Sequence, residues 1–156
     1  MDIIHDNAAD LSALNGKTVA VIGYGAQGRA QALCMRDSGV NVIIGVRPGK
    51  SFDAATQDGF QVMTVAEAAD KADIIHILLP DESHGSVYEA EIKPHLKAGK
   101  TLCCSHGFAY VFNTIVPPAD VDVIMVAPKG PGTEVRRVFE EGFGCPGLIA
   151  VHQNPS

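Results

Sequence analysis

The chain has 156 residues, of which 46% are hydrophobic and 19% are charged, which suffices for one folded domain and excludes a disordered segment. Its formal net charge of −6 excludes the broad basic face of a nucleic-acid-binding protein, so we expect no nucleic-acid partner. The N-terminus lacks the apolar run of a signal peptide, and no stretch reaches the roughly 18 apolar residues of a membrane span, so we expect a cytoplasmic protein with no membrane partner.

Apolar segments of strand length alternate along the chain with segments of helical character. The predicted strands are Thr18–Gly23, Val40–Val46, Gln61–Thr64, Asp73–Leu79, Thr101–Ser105, Val121–Ala127 and Gly147–His152. The predicted helices are Gln27–Ser38, Phe52–Asp58, Val65–Lys71, Glu82–Leu96 and Thr133–Glu141. Strands that are almost entirely apolar suit a sheet covered on both faces, and their alternation with helices is typical of parallel βαβ units. We therefore predict an α/β fold, a doubly wound, mostly parallel sheet of the Rossmann type with helices on both faces.

Short local signals place some of the helix ends. Gly39, Gly59 and Gly99 each follow a helical segment or its connecting loop, where glycine can adopt the left-handed conformation of a cap. Asp81 stands between Pro80 and a helical segment, which predicts that its side chain caps the helix N-terminus.

The cysteines give no sign of a metal or redox site. Cys34, Cys103, Cys104 and Cys145 include no CxxC pair. Cys103 and Cys104 are adjacent and would face opposite sides of a strand. We expect buried free thiols, as in a reducing compartment, and we assign no metal ligand to this chain.

A glycine-rich segment joins the first predicted strand to the first predicted helix. Its residues are Gly23, Tyr24, Gly25, Ala26, Gln27 and Gly28, which match the pattern GxGxxG. In this context the first glycine permits the turn, the second lets a pyrophosphate approach the backbone, and the third lets the helix pack on the strand. The helix N-terminus adds unpaired N–H donors. We predict that this segment binds a dinucleotide; the alternative is a glycine-rich turn without a ligand.

Basic residues follow the second predicted strand, where an NAD-specific domain usually places Asp or Glu. Arg47, Lys50 and Ser51 match the 2′-phosphate of NADP, which accepts charge-assisted hydrogen bonds. We therefore predict NADP(H) as the cofactor and these side chains as its phosphate ligands. The alternative is a solvated basic loop, and Asp53 would repel a phosphate if it turned inward.

Further segments narrow the assignment to one family. They are Leu78–Glu82, Ser105–Phe108, Val116–Pro118 and Val126–Gly132. Together with the glycine-rich segment they resemble ketol-acid reductoisomerase, also called acetohydroxy acid isomeroreductase, and the resemblance extends from Asp6 to Ser156. The family commonly has serine at the position of Ala26 and histidine at that of Arg29, so this chain lacks one hydroxyl donor to the phosphates.

The resemblance implies an NADPH- and Mg²⁺-dependent reaction of branched-chain amino-acid biosynthesis. The family moves an alkyl group within a small 2-hydroxy keto acid and then reduces the product to a 2,3-dihydroxy acid. It implies that residues 1–156 are an N-terminal NADP(H)-binding domain, and that a C-terminal helical domain supplies the magnesium-binding carboxylates and the main oligomer contacts. Because the chain ends near where that domain begins, we expect a part of a longer protein that is inactive alone.

The resemblance also suggests roles for residues at the ends of later strands. His106 follows the fifth predicted strand, at the edge where ligands bind in open parallel sheets, and we predict that it is catalytic and borders the cofactor. Lys129 follows the sixth strand and is the second predicted catalytic residue. The predicted cofactor contacts also include Gly132 and the loop after the fourth strand. The residues of that loop are Leu79, Pro80, Asp81, Glu82, Ser83 and His84.

Other interpretations of the sequence stay open at this point. A structural histidine or a solvated lysine would explain His106 or Lys129 without catalysis. The whole chain could belong to another NAD(P)-dependent dehydrogenase, which would share the glycine-rich segment but lack the other matching segments. It could also be a non-catalytic dinucleotide-binding module, which would need no magnesium site.

Overall fold

The computed structural model describes residues 3–5 and 8–156. The expectation that the first ten residues form no signal peptide therefore lies partly outside the described residues. The strands are β1 Thr18–Ile22, β2 Asn41–Gly45, β3 Gln61–Met63, β4 Ile74–Ile77, β5 Thr101–Cys104, β6 Asp122–Pro128 and β7 Gly147–Gln153. The α-helices are α1 Ala26–Asp37, α2 Lys50–Gln57, α3 Val65–Lys71, α4 Asp81–Val87, α5 Phe108–Val111 and α6 Gly132–Glu140. All seven predicted strands are present.

The strands form one sheet in the order β3-β2-β1-β4-β5-β6-β7. The pairs from β3 to β6 are parallel, and β7 pairs antiparallel with β6. Strands are added toward one edge of the sheet from β1 to β3 and toward the other edge from β4 onward. The C-terminal ends of the neighbouring strands β1 and β4 are therefore the switch point where ligands bind in such folds. The predicted doubly wound, mostly parallel sheet is confirmed.

Two apolar layers cover the sheet, one on each face. Ile75 and Leu102 are fully buried on the face that packs against Tyr88 and the helix α3. Val21 and Ile44 are fully buried on the opposite face, where Leu33 of α1 packs. The strands are apolar on both sides for this reason, as the sequence pattern predicts.

The long helix predicted over Glu82–Leu96 is wrong. The segment contains α4, then a π-helical turn over Tyr88–Ile92, then a 3₁₀ turn over Lys93–His95. Pro94 lacks the N–H that an α-helix needs at that position, which explains why the α-helical hydrogen bonds stop before it. The wider turn keeps Tyr88 and Ile92 fully buried.

Three local predictions need smaller corrections. Asp81 is the first residue of α4 rather than its cap, because Pro80 occupies the cap position and the Asp81 carboxylate bonds elsewhere. Helix α2 begins at Lys50, earlier than predicted. Of the free cysteines, Cys103 and Cys104 are buried, and burial raises their thiol pKa values to about 12 and about 11. Cys34 and Cys145 are only half-buried, because they lie outside the sheet.

One ion pair joins α1 to the end of α2 beside the glycine-rich segment. Both Nε and Nη2 of Arg29 donate to the Asp58 carboxylate, at 2.6 and 2.9 Å, and the Tyr24 hydroxyl donates to it at 2.8 Å. Chiefly through the Arg29 hydrogen bonds, this arrangement lowers the pKa of Asp58 to about 2, against the opposing effect of burial. The pair thus holds the first two helices together beside the glycine-rich segment.

We predict that the Asp58→Asn variant loses about 1 kcal/mol of unfolding free energy near neutral pH, since a bidentate pair is removed. The folded pKa of Asp58 lies below its unfolded value of about 3.9, so its contribution is present above that value and disappears as the pH falls toward 2. Urea unfolding of both proteins across this range measures the difference. Asp53→Asn, an exposed change on the same helix, is the control. A difference that stays constant down to pH 2 would contradict the prediction.

Candidate functional site

A cleft of about 1030 Å³ opens at the switch point, above the C-terminal ends of the central strands. Most predicted cofactor-binding residues line it. These are Gly23, Tyr24, Gly25, Ala26, Gln27, Arg47, Lys50, Ser51, Leu79, Pro80, Asp81, Ser83, His84 and His106. The predicted residues that do not line it are Gly28, Glu82, Lys129 and Gly132. The cleft therefore brings together residues that are far apart in sequence.

The three glycines of the pattern have different surroundings. Gly23 has a φ of +100°, and a Cβ there would lie 2.8 Å from the Leu78 carbonyl oxygen. At Gly28 a Cβ would lie 2.2 Å from the Gly23 carbonyl oxygen, so only glycine lets the helix approach the strand this closely. At Gly25 a Cβ would meet nothing within 4 Å, because this residue faces open space on the cleft.

The N-terminus of α1 presents backbone donors to that open space. Gly25 occupies the cap position and supplies no side-chain acceptor. The N–H groups of the first turn of an α-helix have no partner within the helix, and they favour an anion. The backbone of this turn can therefore hold an anion, and its assignment to a pyrophosphate stays a prediction.

The basic residues predicted to bind a phosphate lie at the end of β2 and in the first turn of α2. Arg47, Lys50 and Ser51 are exposed and line the cleft. The ion pairs among the described residues involve other cations, so the charges of Arg47 and Lys50 have no described carboxylate partner. Asp53 does not line the cleft, which removes the concern that it repels a phosphate there.

The loop after β4 forms the wall opposite α1. His84 is buried, and its Nε2 lies 2.8 Å from the Leu79 carbonyl oxygen, which can only accept, so Nε2 carries the proton. That bond closes the loop on itself. The Nδ1 atom of His84 is buried without a partner among the described residues. The hydrogen bond of His84 thus holds the loop, and His84 lines the cleft together with Pro80 and Ser83.

His106 and Asp81 both line the cleft and are in direct contact with each other. Nδ1 of His106 lies 2.6 Å from Oδ2 of Asp81, and the imidazole stacks on Phe108 with ring centroids 6.1 Å apart. The carboxylate accepts, so the pair favours a proton on Nδ1 and leaves Nε2 for other partners. The side chain of His106 is 66% exposed, which gives a ligand access to it.

Lys129 and Gly132 lie beside the cleft rather than on its surface. Lys129 is exposed, and its backbone N–H donates to the Pro146 carbonyl at 2.7 Å. Gly132 begins α6, and a Cβ there would lie 2.1 Å from the Ala26 carbonyl oxygen. The observed role of Gly132 is therefore close packing of α6 against the start of α1.

Several further residues line the cleft that were not among the predicted site residues. They are Gly45, Val46, Pro48, Gly49, Val65, Ile77, Leu78, Ser86, Val87, Glu91, Ser105 and Pro128. Half of them end a strand or directly follow one, a position that could have identified them. Glu91 had no such signal, because it belongs to the π-helical turn. Gly45 was missed as well, although a Cβ there would lie 2.6 Å from Ile22 Cδ1.

No three His, Cys, Asp or Glu side chains among residues 3–5 and 8–156 are grouped as a metal site. No helix in these ranges has the length and hydropathy needed to cross a membrane.

Comparison with known proteins gives one family. A family model described as the NADPH-binding domain of acetohydroxy acid isomeroreductase matches residues 13–156. A ketol-acid reductoisomerase (NADP(+)) of Akkermansia muciniphila is 97% identical over the whole chain. The chain spans 48% of the length of that relative, about half.

A solved structure of an NADH-preferring ketol-acid reductoisomerase from an uncultured archaeon is 58% identical, with a TM-score of 0.96 over 99% of this chain and 49% of its own. A 3-hydroxyisobutyrate dehydrogenase of Mycobacterium tuberculosis, 14% identical with a TM-score of 0.63 over 86% of this chain and 45% of its own, shares the fold alone. The match therefore excludes assignment to an unrelated dehydrogenase class, and the resemblance drawn from the sequence is confirmed. The chain belongs to the ketol-acid reductoisomerase family and has the fold of its NADPH-binding domain.

Proposed function

We propose that this chain is the NADP(H)-binding part of a ketol-acid reductoisomerase. The observation that carries the proposal is the cleft itself, where Gly25 leaves open space beside the unpaired N–H groups of α1. The N–H groups attract the negative charge of a pyrophosphate, and the absence of a side chain at Gly25 leaves room for it. Any larger side chain at this position would occupy that room. The nearby strand ends supply further contacts for the two nucleosides.

The basic residues support NADP(H) rather than NAD(H). A phosphate dianion beside Arg47, Lys50 and Ser51 would meet two cations and a hydroxyl donor. The family includes a relative named as NADH-preferring with nearly the same fold, so the backbone does not decide the preference. The side chains after β2 are the groups that can decide it.

His106 is the proposed catalytic group of this domain. The bound cofactor would supply a hydride from its nicotinamide. Asp81 holds the Nδ1 proton of His106, which leaves Nε2 to accept or donate a proton at the substrate. Lys129 lies next to Pro128 at the rim, and we propose that its ammonium attracts the carboxylate of the keto acid.

The rest of the reaction is assigned to residues that this chain does not contain. The described residues hold no grouped metal ligands, so magnesium does not fit this domain by itself and no step is assigned to it here. We propose that the other half of the relatives' length supplies the magnesium ligands, the remaining substrate contacts and the homo-oligomer contacts. The proposed substrate is a small keto acid of the 2-acetolactate type, in branched-chain amino-acid biosynthesis in the cytoplasm.

We predict that the chain binds NADPH at least about tenfold more tightly than NADH, because two cations face the 2′-phosphate and about 1.4 kcal/mol suffices for this ratio. Arg47→Ala should reduce the preference mainly by weakening NADPH binding. Calorimetric titration with both cofactors measures this. Lys71→Ala, at the exposed end of α3, should change neither affinity. Equal affinities in the parent protein would refute the assignment of the phosphate site.

We predict that Gly25→Val abolishes NADPH binding while the domain stays folded, because the added side chain enters open space that the pyrophosphate needs. Circular dichroism reports the fold, and quenching or enhancement of nicotinamide fluorescence reports binding. Gly144→Val is the matched control, since a Cβ there also meets nothing within 4 Å but lies outside the cleft. If Gly25→Val still binds NADPH like the parent, the pyrophosphate lies elsewhere.

We predict that His106→Ala lowers turnover by about 10²-fold or more with little change in NADPH affinity, since a proton-transferring group is lost and the phosphate contacts remain. The test uses this chain joined to the remaining half of the Akkermansia muciniphila relative. NADPH oxidation with 2-acetolactate and magnesium is followed by absorbance. Residues 1–156 alone should show no turnover, and measurable turnover by them would contradict the proposed division of the site.

A further inference from the structure

Polar side chains interrupt the apolar layer between α1 and the sheet, directly below the cleft. Gln31 of α1 is 8% exposed and His76 of β4 is 4% exposed. Burial of an amide or an imidazole costs free energy unless its hydrogen bonds are made inside the protein. Apolar residues at these positions would need no hydrogen bonds. The hydrogen bonds that Gln31 and His76 make therefore indicate the role of these two side chains.

The hydroxyl of Ser105, the residue after β5, is the centre of these bonds. Ser105 Oγ donates its single proton to the Val126 carbonyl at 2.8 Å. It therefore accepts from both Nε2 of Gln31 at 3.1 Å and Nε2 of His76 at 3.3 Å. His76 consequently carries its proton on Nε2, and burial lowers its pKa to about 4, which keeps the ring neutral.

The bonds continue along α1 to the loop before α6. Nε2 of Gln31 lies 3.0 Å from Oε1 of Gln27, to which it donates a second proton. Nε2 of Gln27 then donates to the Gly130 carbonyl at 2.8 Å. One connected path of hydrogen bonds thus joins His76, Ser105, Gln31, Gln27 and Gly130, with Ser105 accepting from both His76 and Gln31 and with Gln31 donating in both directions.

This path ties three parts of the cleft together. Gln27 belongs to the turn that faces the pyrophosphate, Ser105 directly precedes His106, and Gly130 directly follows Lys129. Gln31 does not line the cleft, so its amide acts only through the residues that it bonds. Removal of that amide would detach Ser105 from α1 and take from Gln27 the donor to its carbonyl oxygen, while the Gln27–Gly130 bond and the adenosine end, with Arg47, stay in place.

We propose that Gln31 is a positioning residue that, through Ser105 and Gln27, holds the loops after β5 and β6 in register with the pyrophosphate turn. The path thereby fixes the nicotinamide half of the site. This inference rests on the proposed NADP(H)-binding function. It predicts that removal of these hydrogen bonds weakens binding of the nicotinamide half of the cofactor more than binding of the adenosine half.

The test compares two ligands on Gln31→Met, a side chain of similar length that donates no hydrogen bond. NADPH affinity should fall about tenfold, which corresponds to about 1.4 kcal/mol. The affinity for 2′,5′-ADP, which occupies the adenosine end and only the nearer phosphate position, should fall clearly less than that for NADPH. Gln61→Met, an exposed change on β3, is the control and should alter neither affinity.

A second variant and a spectroscopic readout keep the test independent of folding. Ser105→Ala removes the acceptor of His76, so long-range ¹H–¹⁵N spectra should show its imidazole leaving the single Nε2–H form that the hydrogen bonds predict for the parent. Thermal unfolding is measured for each variant.

Three outcomes would overturn the inference. They are equal losses for NADPH and 2′,5′-ADP in Gln31→Met, no loss for either ligand, and a mixed His76 tautomer in the parent. If the parent binds neither ligand, the proposed function fails together with the inference. If it binds both and the variants match it, the inference alone fails.

Discussion

The contact between Gly28 and the carbonyl of Gly23 determines the geometry of everything around the cleft. Any other residue at position 28 would place its Cβ 2.2 Å from that oxygen and would force α1 away from β1. The close approach fixes where the first turn of α1 stands above the sheet, and with it the direction of its free N–H groups. Gly132 repeats the constraint on the other side, since it lets α6 touch the carbonyl of Ala26. The site depends on backbone packing before any polar side chain takes part.

The elements that could be predicted from sequence are those whose signal is local. Strands buried on both faces appear as apolar runs, and GxGxxG between a strand and a helix identifies the turn at the switch point. The π-helical turn had no local signal, because it reflects the shared burial of Tyr88 and Ile92 and the missing N–H of Pro94. The Asp81–His106 pair also escaped prediction as a contact, since 25 residues separate its members. Periodicity and spacing carry no information about such distant pairs.

Cofactor preference within this family illustrates what a fold leaves open. The relative with a TM-score of 0.96 is named as NADH-preferring, whereas the Akkermansia muciniphila relative is named for NADP(+). The fold alone therefore does not determine the cofactor, and under the proposed function the exposed side chains after β2 set the charge presented to the ribose. Residues at this position can therefore vary without any cost to the core, because none of them is packed against it.

The contact between Gly132 and Ala26 has an electrostatic consequence. It places the N-terminal ends of two helices side by side, and each end carries roughly half a positive elementary charge from its aligned peptide dipoles. An anion bound beside them would offset their mutual repulsion. The chain as a whole has a net charge of −6, so a polyanionic ligand is repelled at long range and attracted close to these helix ends and to Arg47 and Lys50. Dissolved salt screens both the long-range repulsion and the short-range attraction. The association rate therefore rises or falls with salt according to which of the two is weakened more.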